Sequence, residues 1–245
     1  MNLSDFKVLT FDCYGTLIDW ESGMVAGLKP LTDRIAARDG RPLDRNAILE
    51  AHARQESFHQ RQTPAKTYSD LLACVYRRLA EEWGLSVSWD EALGYGRSVE
   101  NWPAFADSAE SLAYLKAHFK LVILSNVDNA SFAHSNKKLG VQFDAVYTAE
   151  DIGSYKPSPH NFEYMLENLA RLGIAKEEIL HTAESMFHDH GPANEFGLAN
   201  CWIYRRHNQE GFGATMNPGD MPSYDVVFNS MTELVAAHKA EVGFG

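Results

Sequence analysis

Apolar residues along this chain gather in short unbroken runs rather than in long helical stripes. KVLTF (7–11), LVILS (121–125), AVYTA (145–149), ILHTA (179–183) and CWIYR (201–205) are β-branched and apolar, without strict alternation. That is the pattern of strands buried on both faces. Helix-like segments lie between the later runs, from Asn129 to Leu139 and from His160 to Leu172. Strands alternating with helices predict an α/β fold with a doubly wound parallel sheet. YDVVF near the C-terminus reads as a sixth strand, followed by a last helix from about Met231 to Lys239.

The first interval breaks the rhythm. From Ile18 to about Asn101 only helix signals occur. Asp44 is placed to cap Arg45 to Gln62, which ends before Pro64, and Thr67 to cap Tyr68 to Trp83, which stops at Gly84. Ser88-Trp89-Asp90-Glu91 has the capping-box pattern, a serine with glutamate three residues on. An all-helical stretch between the first two strands predicts an inserted cap. The expected division is a core of residues 1–18 and 102–245 and a cap of residues 19–101. Ile18 to Gly23 and Asn101-Trp102-Pro103 are the expected hinges.

A formal net charge of -11 argues against nucleic acid or an anionic membrane as the main partner, because both need a basic surface. A small anionic substrate is still compatible, since a few local cations can dominate a pocket. The three cysteines, Cys13, Cys74 and Cys201, form no CxxC pair and indicate neither a zinc site nor a disulfide framework. The N-terminal MNLSDFKV has no basic segment leading into an apolar run, and no stretch approaches a membrane span. A cytoplasmic location is the simplest expectation.

In open parallel sheets, ligands bind beyond the carboxyl ends of the strands. Asp12, Tyr14 and Thr16 follow the first run, Ser125-Asn126 close the second, Ser154-Tyr155-Lys156-Pro157 follow the third, and Glu184 and Asp189 follow the fourth. Carboxylate, hydroxyl, lysine and a second carboxylate at one sheet edge suit nucleophilic catalysis. The lysine can keep the aspartate ionised while the second acid handles a proton. The order Asp12-x-x-Gly15-Thr16, Ser125-Asn126, Lys156-Pro157, then Glu184 and Asp189 resembles the haloacid dehalogenase superfamily over nearly the whole chain. FDCYGTL looks most like its L-2-haloacid dehalogenases.

That resemblance implies a hydrolase in which Asp12 attacks C2 of a short (S)-2-haloacid, forming an ester that water then cleaves. It further implies that Lys156 orients Asp12, that Asp189 positions the water, and that Thr16 and Ser125 bind carboxylate oxygens. Asn126 is implied to cradle the halide, with Cys13 and Tyr14 beside the substrate. A cap arginine near the halide is also implied, with Arg54 as first candidate and Arg61 as its rival. No cofactor is implied, and a homodimer is compatible.

Tyr14 stands where phosphatases of the superfamily carry a general-acid aspartate. A phenol, with a reference pKa of about 10, substitutes poorly for that acid near neutral pH. Glu184 points the other way, because Asp12, Glu184 and Asp189 are spaced like an oxygen-rich magnesium site. A magnesium-dependent phosphatase is therefore the second reading, and a silent ligand-binding member of the fold the third.

Strand alternation, taken alone, turns Cys13 into the core rather than toward substrate. His181, His188 and His190 lack the one-face spacing of a helical metal pair. Trp20, Trp102 and Phe105 stand near the expected hinges, where they can line a pocket or simply pack.

Overall fold

The computed structural model describes residues 1–243. Among these, β1 (Val8–Phe11), β2 (Lys120–Ser125), β3 (Ala145–Thr148), β4 (Ile179–Ala183), β5 (Ala199–Ile203) and β6 (Val226–Phe228) form a six-stranded sheet. The order is β3-β2-β1-β4-β5-β6, and every pairing is parallel. β1 is central, with Phe11 in register with Ile123 on one side and Thr182 on the other. The chain winds outward both ways from β1, so the ends of β1, β2 and β4 meet at the switch point where ligands bind in such sheets.

Five helices lie between β1 and β2, the first four being α1 (Trp20–Asp39), α2 (Arg45–Gln62), α3 (Tyr68–Glu82) and α4 (Trp89–Arg97). α5 (Ser108–Lys116) precedes β2, and α6 (Asn129–Leu139) follows it. α7 (Ala149–Ile152), α8 (Pro159–Arg171), α9 (Gly191–Glu195) and α10 (Met231–Glu241) complete the set. Alternation along the strands sorts the apolar residues onto two faces. Val8, Val122, Leu124 and Ile179 pack with Phe162, Met165 and Leu169 of α8. Leu9, Phe11, Leu121, Ile123 and Leu180 join a larger core with α5, α10 and the helices before β2.

Asp44 and Ser88 cap α2 and α4 as expected, accepting from Ala47 N–H and Glu91 N–H at 3.1 Å each. Thr67 makes no side-chain bond to its helix end and reaches Asp70 instead, at 3.0 Å. The sequence showed no clear sign of α1. Its Pro30 and the glycines Gly23 and Gly27 blur the helical pattern. Tertiary packing holds it, with Met24, Leu28, Leu31 and Ile35 on its buried face. Gly23 is needed there, because a Cβ would stand 2.3 Å from the Trp102 ring.

The expected hinges are adjacent strands of chain. Ile18 bridges Ala104, Asp19 N–H donates to Pro103 O at 2.8 Å, and Phe105 N–H donates to Leu17 O at 3.0 Å. α1 begins at Trp20, so its first turn takes up much of the first predicted hinge. Further ties hold the helices over the sheet edge. Ser69 N–H donates to Asp128 Oδ2 at 2.8 Å, and Tyr155 Oη donates to Lys66 O at 2.6 Å. No helix among the described residues is long and apolar enough to cross a membrane.

Candidate active site

β1 stops one residue before Asp12, whose N–H donates to Thr182 O at 3.1 Å. The chain then turns through Gly15 at φ 100°, a conformation that side chains resist. This turn carries Thr16 back, so its Oγ1 donates to Asp12 Oδ2 at 2.9 Å while accepting from Glu184 N–H at 2.9 Å. Lys156, only 1% exposed, uses all three ammonium protons within the protein. They go to Asp12 Oδ1 at 3.0 Å, Leu124 O at 2.9 Å and Asp189 Oδ1 at 2.6 Å. His181 Nε2 stands 3.1 Å from the same Asp189 oxygen.

The Lys156 loop is pinned from β2. Asn126 Nδ2 donates to Lys156 O at 2.9 Å, and Asn126 Oδ1 accepts from Lys156 N–H at 2.6 Å. Asp189 is delivered by a π-helical turn, Met186–His190, an irregularity common at functional sites. Ser185 starts that turn, its hydroxyl accepting from His188 N–H at 2.9 Å.

Burial pushes the Asp12 carboxyl above its usual range, against the pull of Lys156. For Asp189 burial also acts upward, yet Lys156 and His181 outweigh it and hold the group well below the usual range. Burial opposes the Lys156 charge, but Asp12 and Asp189 more than compensate and raise its pKa. The geometry is one ammonium clamping two carboxylates. Burial brings His188 down to about 4, which leaves the ring neutral near neutral pH.

These groups surround a cavity of about 20 Å³, room for about one water molecule. Tyr14, Trp20, Ser125, Asn126, Ser185 and His188 line it, and Glu56, Gln60 and Tyr68 close it from α2 and α3. Ser125 Oγ and Asp189 Oδ2 are buried without a hydrogen-bond partner in the protein. Both residues face the cavity, one offering a hydroxyl and the other a carboxylate oxygen able to hold a water.

Asp12, Thr16, Ser125, Asn126, Lys156 and Asp189 are thus gathered as expected. Tyr14 is a wall: its hydroxyl lies 2.8 Å from Ser135 Oγ, its ring meets Trp102 edge-on, and burial pushes its pKa well above 10. Tyr14→Phe is expected to change kcat/KM by less than about tenfold, without moving the pH profile, because only a hydrogen bond to Ser135 is lost. A large loss with a shifted profile in steady-state assays would instead give the phenol a proton role.

Three expectations are corrected. Cys13 does not line the cavity; it is fully buried in the core with Leu9 and Phe11, because alternation along the strand carries it to the face opposite Asp12. Arg54 points away from the site, pairing with Glu82 at 2.8 Å on the outer side of α2. Its rival Arg61 donates to Ser57 Oγ at 2.5 Å and lines an adjoining groove that shares Gln60 and Lys156 with the cavity. Glu184 lines a neighbouring cavity with Glu21, Arg45 and Arg206, where burial and Glu21 push it up to about 8.

The magnesium set of Asp12, Glu184 and Asp189 therefore does not fit. Lys156 stands between the two aspartates, and no group of three or more His, Cys, Asp or Glu side chains among the described residues is disposed to hold a metal ion. His181 contacts Thr10 and Asp189, while His190 contacts Asn200 and Ala183 O.

Sequence reasoning missed the α2 side of the site. Glu56 and Gln60 share the inward face of α2 with His52. A polar stripe at four-residue spacing between Ile48 and Leu49 and the helix end was the available signal.

A model of the haloacid dehalogenase-like hydrolases matches residues 6–182. The chain belongs to that family, and its relatives are enzymes. It is 25% identical over 226 residues to (S)-2-haloacid dehalogenase 4A of Burkholderia cepacia, covering 84% of this chain and 86% of the relative. Among solved structures, the defluorinating L-2-haloacid dehalogenase Rha0230 aligns with a TM-score of 0.75 at 21% identity, over 97% of this chain and 98% of its own. The L-2-haloacid dehalogenase of Xanthobacter autotrophicus, with chloropropionic acid covalently bound, gives 0.73 at 18% identity over 94% and 97%. The HAD-hydrolase YfnB of Bacillus subtilis, bound to magnesium, gives 0.70 at 19% identity over 96% and 99%. At these identities the structures share the fold, which hosts more than one chemistry.

Proposed function

We propose that this protein hydrolyses the carbon–halogen bond of short (S)-2-haloacids through an ester on Asp12, with α1 to α4, within residues 19–101, acting as its cap. A carboxylate oxygen of Asp12 forms the bond to C2 as the carbon–halogen bond breaks, and the halide leaves with the electron pair. Configuration at C2 inverts. A water held by Asp189 Oδ2 then attacks the ester carbonyl carbon, giving its proton to that carboxylate. The 2-hydroxyacid departs and Asp12 is regenerated. Ser125 Oγ and neighbouring polar groups take the substrate carboxylate, and no cofactor enters.

The observation that carries this reading is the Lys156 clamp. It pairs with Asp12 and orients it at the cavity while leaving Asp189 one unpartnered oxygen. Tyr14 supports a leaving group that needs no proton, since its hydroxyl is turned to Ser135 and held above its ordinary pKa. Soluble, cytoplasmic action on a small molecule fits the acidic chain.

The test is a paired assay on one preparation, stripped with chelator and then supplied with magnesium. Chloride from (S)- but not (R)-2-chloropropionate, released without metal, is the expected result. Phosphate released from monoesters only with magnesium would replace the proposal with the phosphatase reading.

A further inference from the structure

Asp12, Ser125 and Lys156 stand at the sheet-edge side of the cavity, and Glu56, Gln60 and Tyr68 close it from α2 and α3. A halide displaced in line from C2 leaves on the side away from Asp12, where a donor would stabilise its growing charge. The cations do not supply that donor. Lys156 gives its three protons to Asp12, Leu124 O and Asp189, and Arg54 pairs with Glu82. Arg61 lines the adjoining groove rather than the cavity. Gln60 Nε2 donates to Glu56 at 3.3 Å, and the Tyr68 hydroxyl also turns to Glu56. Trp20 Nε1 lies against Gly15, on the turn that carries Asp12.

His188 remains. It lines the cavity from the π-helical turn, within electrostatic reach of Glu56 on α2 as well as of Asp189 and Lys156. Ser185 fixes its ring. The Ser185 hydroxyl oxygen accepts from His188 N–H at 2.9 Å and lies 3.1 Å from His188 Nδ1. Among the described residues Nδ1 is the one acceptor within that hydroxyl's reach, so the hydroxyl donates to it. Burial keeps the ring neutral, and its own proton therefore sits on Nε2. Nε2 has no hydrogen-bond partner among the described residues and keeps accessible surface, so its N–H is open to the cavity.

We propose that His188 Nε2–H is the hydrogen-bond donor to the departing halide, in the role that the sequence suggested for a cap arginine. This rests on the reading that Asp12 displaces halide from a 2-haloacid, and adds the group that receives the leaving ion. As the bond from C2 breaks, its electron pair goes with the halogen. The N–H donates into that growing charge without giving up its proton, and Ser185 holds it aimed throughout.

The experiment compares halide release from (S)-2-chloropropionate and (S)-2-bromopropionate by the wild type and by His188→Phe. The ratio kcat/KM covers the steps up to halide departure, so it reads the leaving group directly. The variant is expected to lose about 10- to 100-fold with the chloro substrate and several-fold less with the bromo substrate, because bromide departs with less help. No loss, or an equal loss with both, would overturn the proposal, since a donor to the substrate carboxylate or a purely structural residue acts on both alike. The tautomer is read on the wild type alone. Nitrogen-15 NMR of histidine-labelled protein near pH 7 should find His188 protonated at Nε2. Protonation at Nδ1 would overturn the proposal even if His188→Phe failed to fold. Halide from neither substrate with the wild type, and Asp12 unmodified by mass, would overturn the aspartyl-ester reading as well, and so is distinct from failure of this inference alone.

Discussion

Asp12→Asn is expected to lose turnover by on the order of 10⁴-fold or more, while the protein stays folded. The amide keeps nearly the same volume at a position that is 5% exposed, and can still accept from Lys156 through its oxygen while its NH2 faces the Thr16 hydroxyl. It cannot serve as a nucleophile. The complementary variant separates the two chemical steps. Asp189→Asn leaves Asp12 able to be alkylated but removes the carboxylate oxygen that has no partner in the protein and would take the water's proton. Mass spectrometry of that variant after exposure to substrate should find the substrate's carboxyalkyl group esterified to the Asp12 peptide, with at most one equivalent of halide released. A single turnover of the wild type in ¹⁸O-water should deliver unlabelled oxygen to the product and leave label in Asp12. Label appearing directly in the first product would mean that water attacks C2 itself and that Asp12 is not the nucleophile.

Lys156→Met is expected to cost both activity and stability. Removing one partner of a buried charge set leaves the others uncompensated, at about 3–5 kcal/mol. Here the abandoned groups are two carboxylates, Asp12 and Asp189, each within 3.0 Å of the ammonium that is lost. The pH dependence has a definite sign. In the wild type the depressed Asp189 stabilises the fold above the unfolded carboxylate pKa, and this contribution fades as pH falls through its folded pKa. Without the lysine, burial and mutual repulsion raise both carboxylates, so folding then favours their protonated forms. The stability gap between wild type and variant should therefore narrow from about pH 8 to about pH 4 in denaturant titrations. A gap that stayed constant would mean that Lys156 contributes packing rather than charge.

The legible part of this protein was its punctuation. The apolar runs gave six strands in the right places, since a strand buried on both faces must be apolar throughout. Asp12, Thr16, Ser125, Asn126, Lys156 and Asp189 were found because a parallel sheet puts the ends of its strands on one edge. What was missed lies on helices, and so does Arg54 among the misplaced residues. α1 escaped notice because Pro30 and its glycines obscure the pattern that Met24, Leu28 and Ile35 complete only when packed. Arg54 was chosen over Glu56 because charge type suggested a role, while the side of α2 that faces inward depends on how that helix sits over the sheet.

The sequence by itself determined the fold class, the order of the elements and which chemical groups stand at the sheet edge, because these follow from local periodicity and from the topology of parallel strands. Only the tertiary structure decided how those groups share protons. Lys156 lies 144 residues from Asp12 and 33 from Asp189, yet joins the two. Whether Glu184 joins them, whether Cys13 faces substrate, and which α2 residue closes the cavity depend on side-chain directions. Those are set by packing between segments far apart in the chain, which no local pattern encodes.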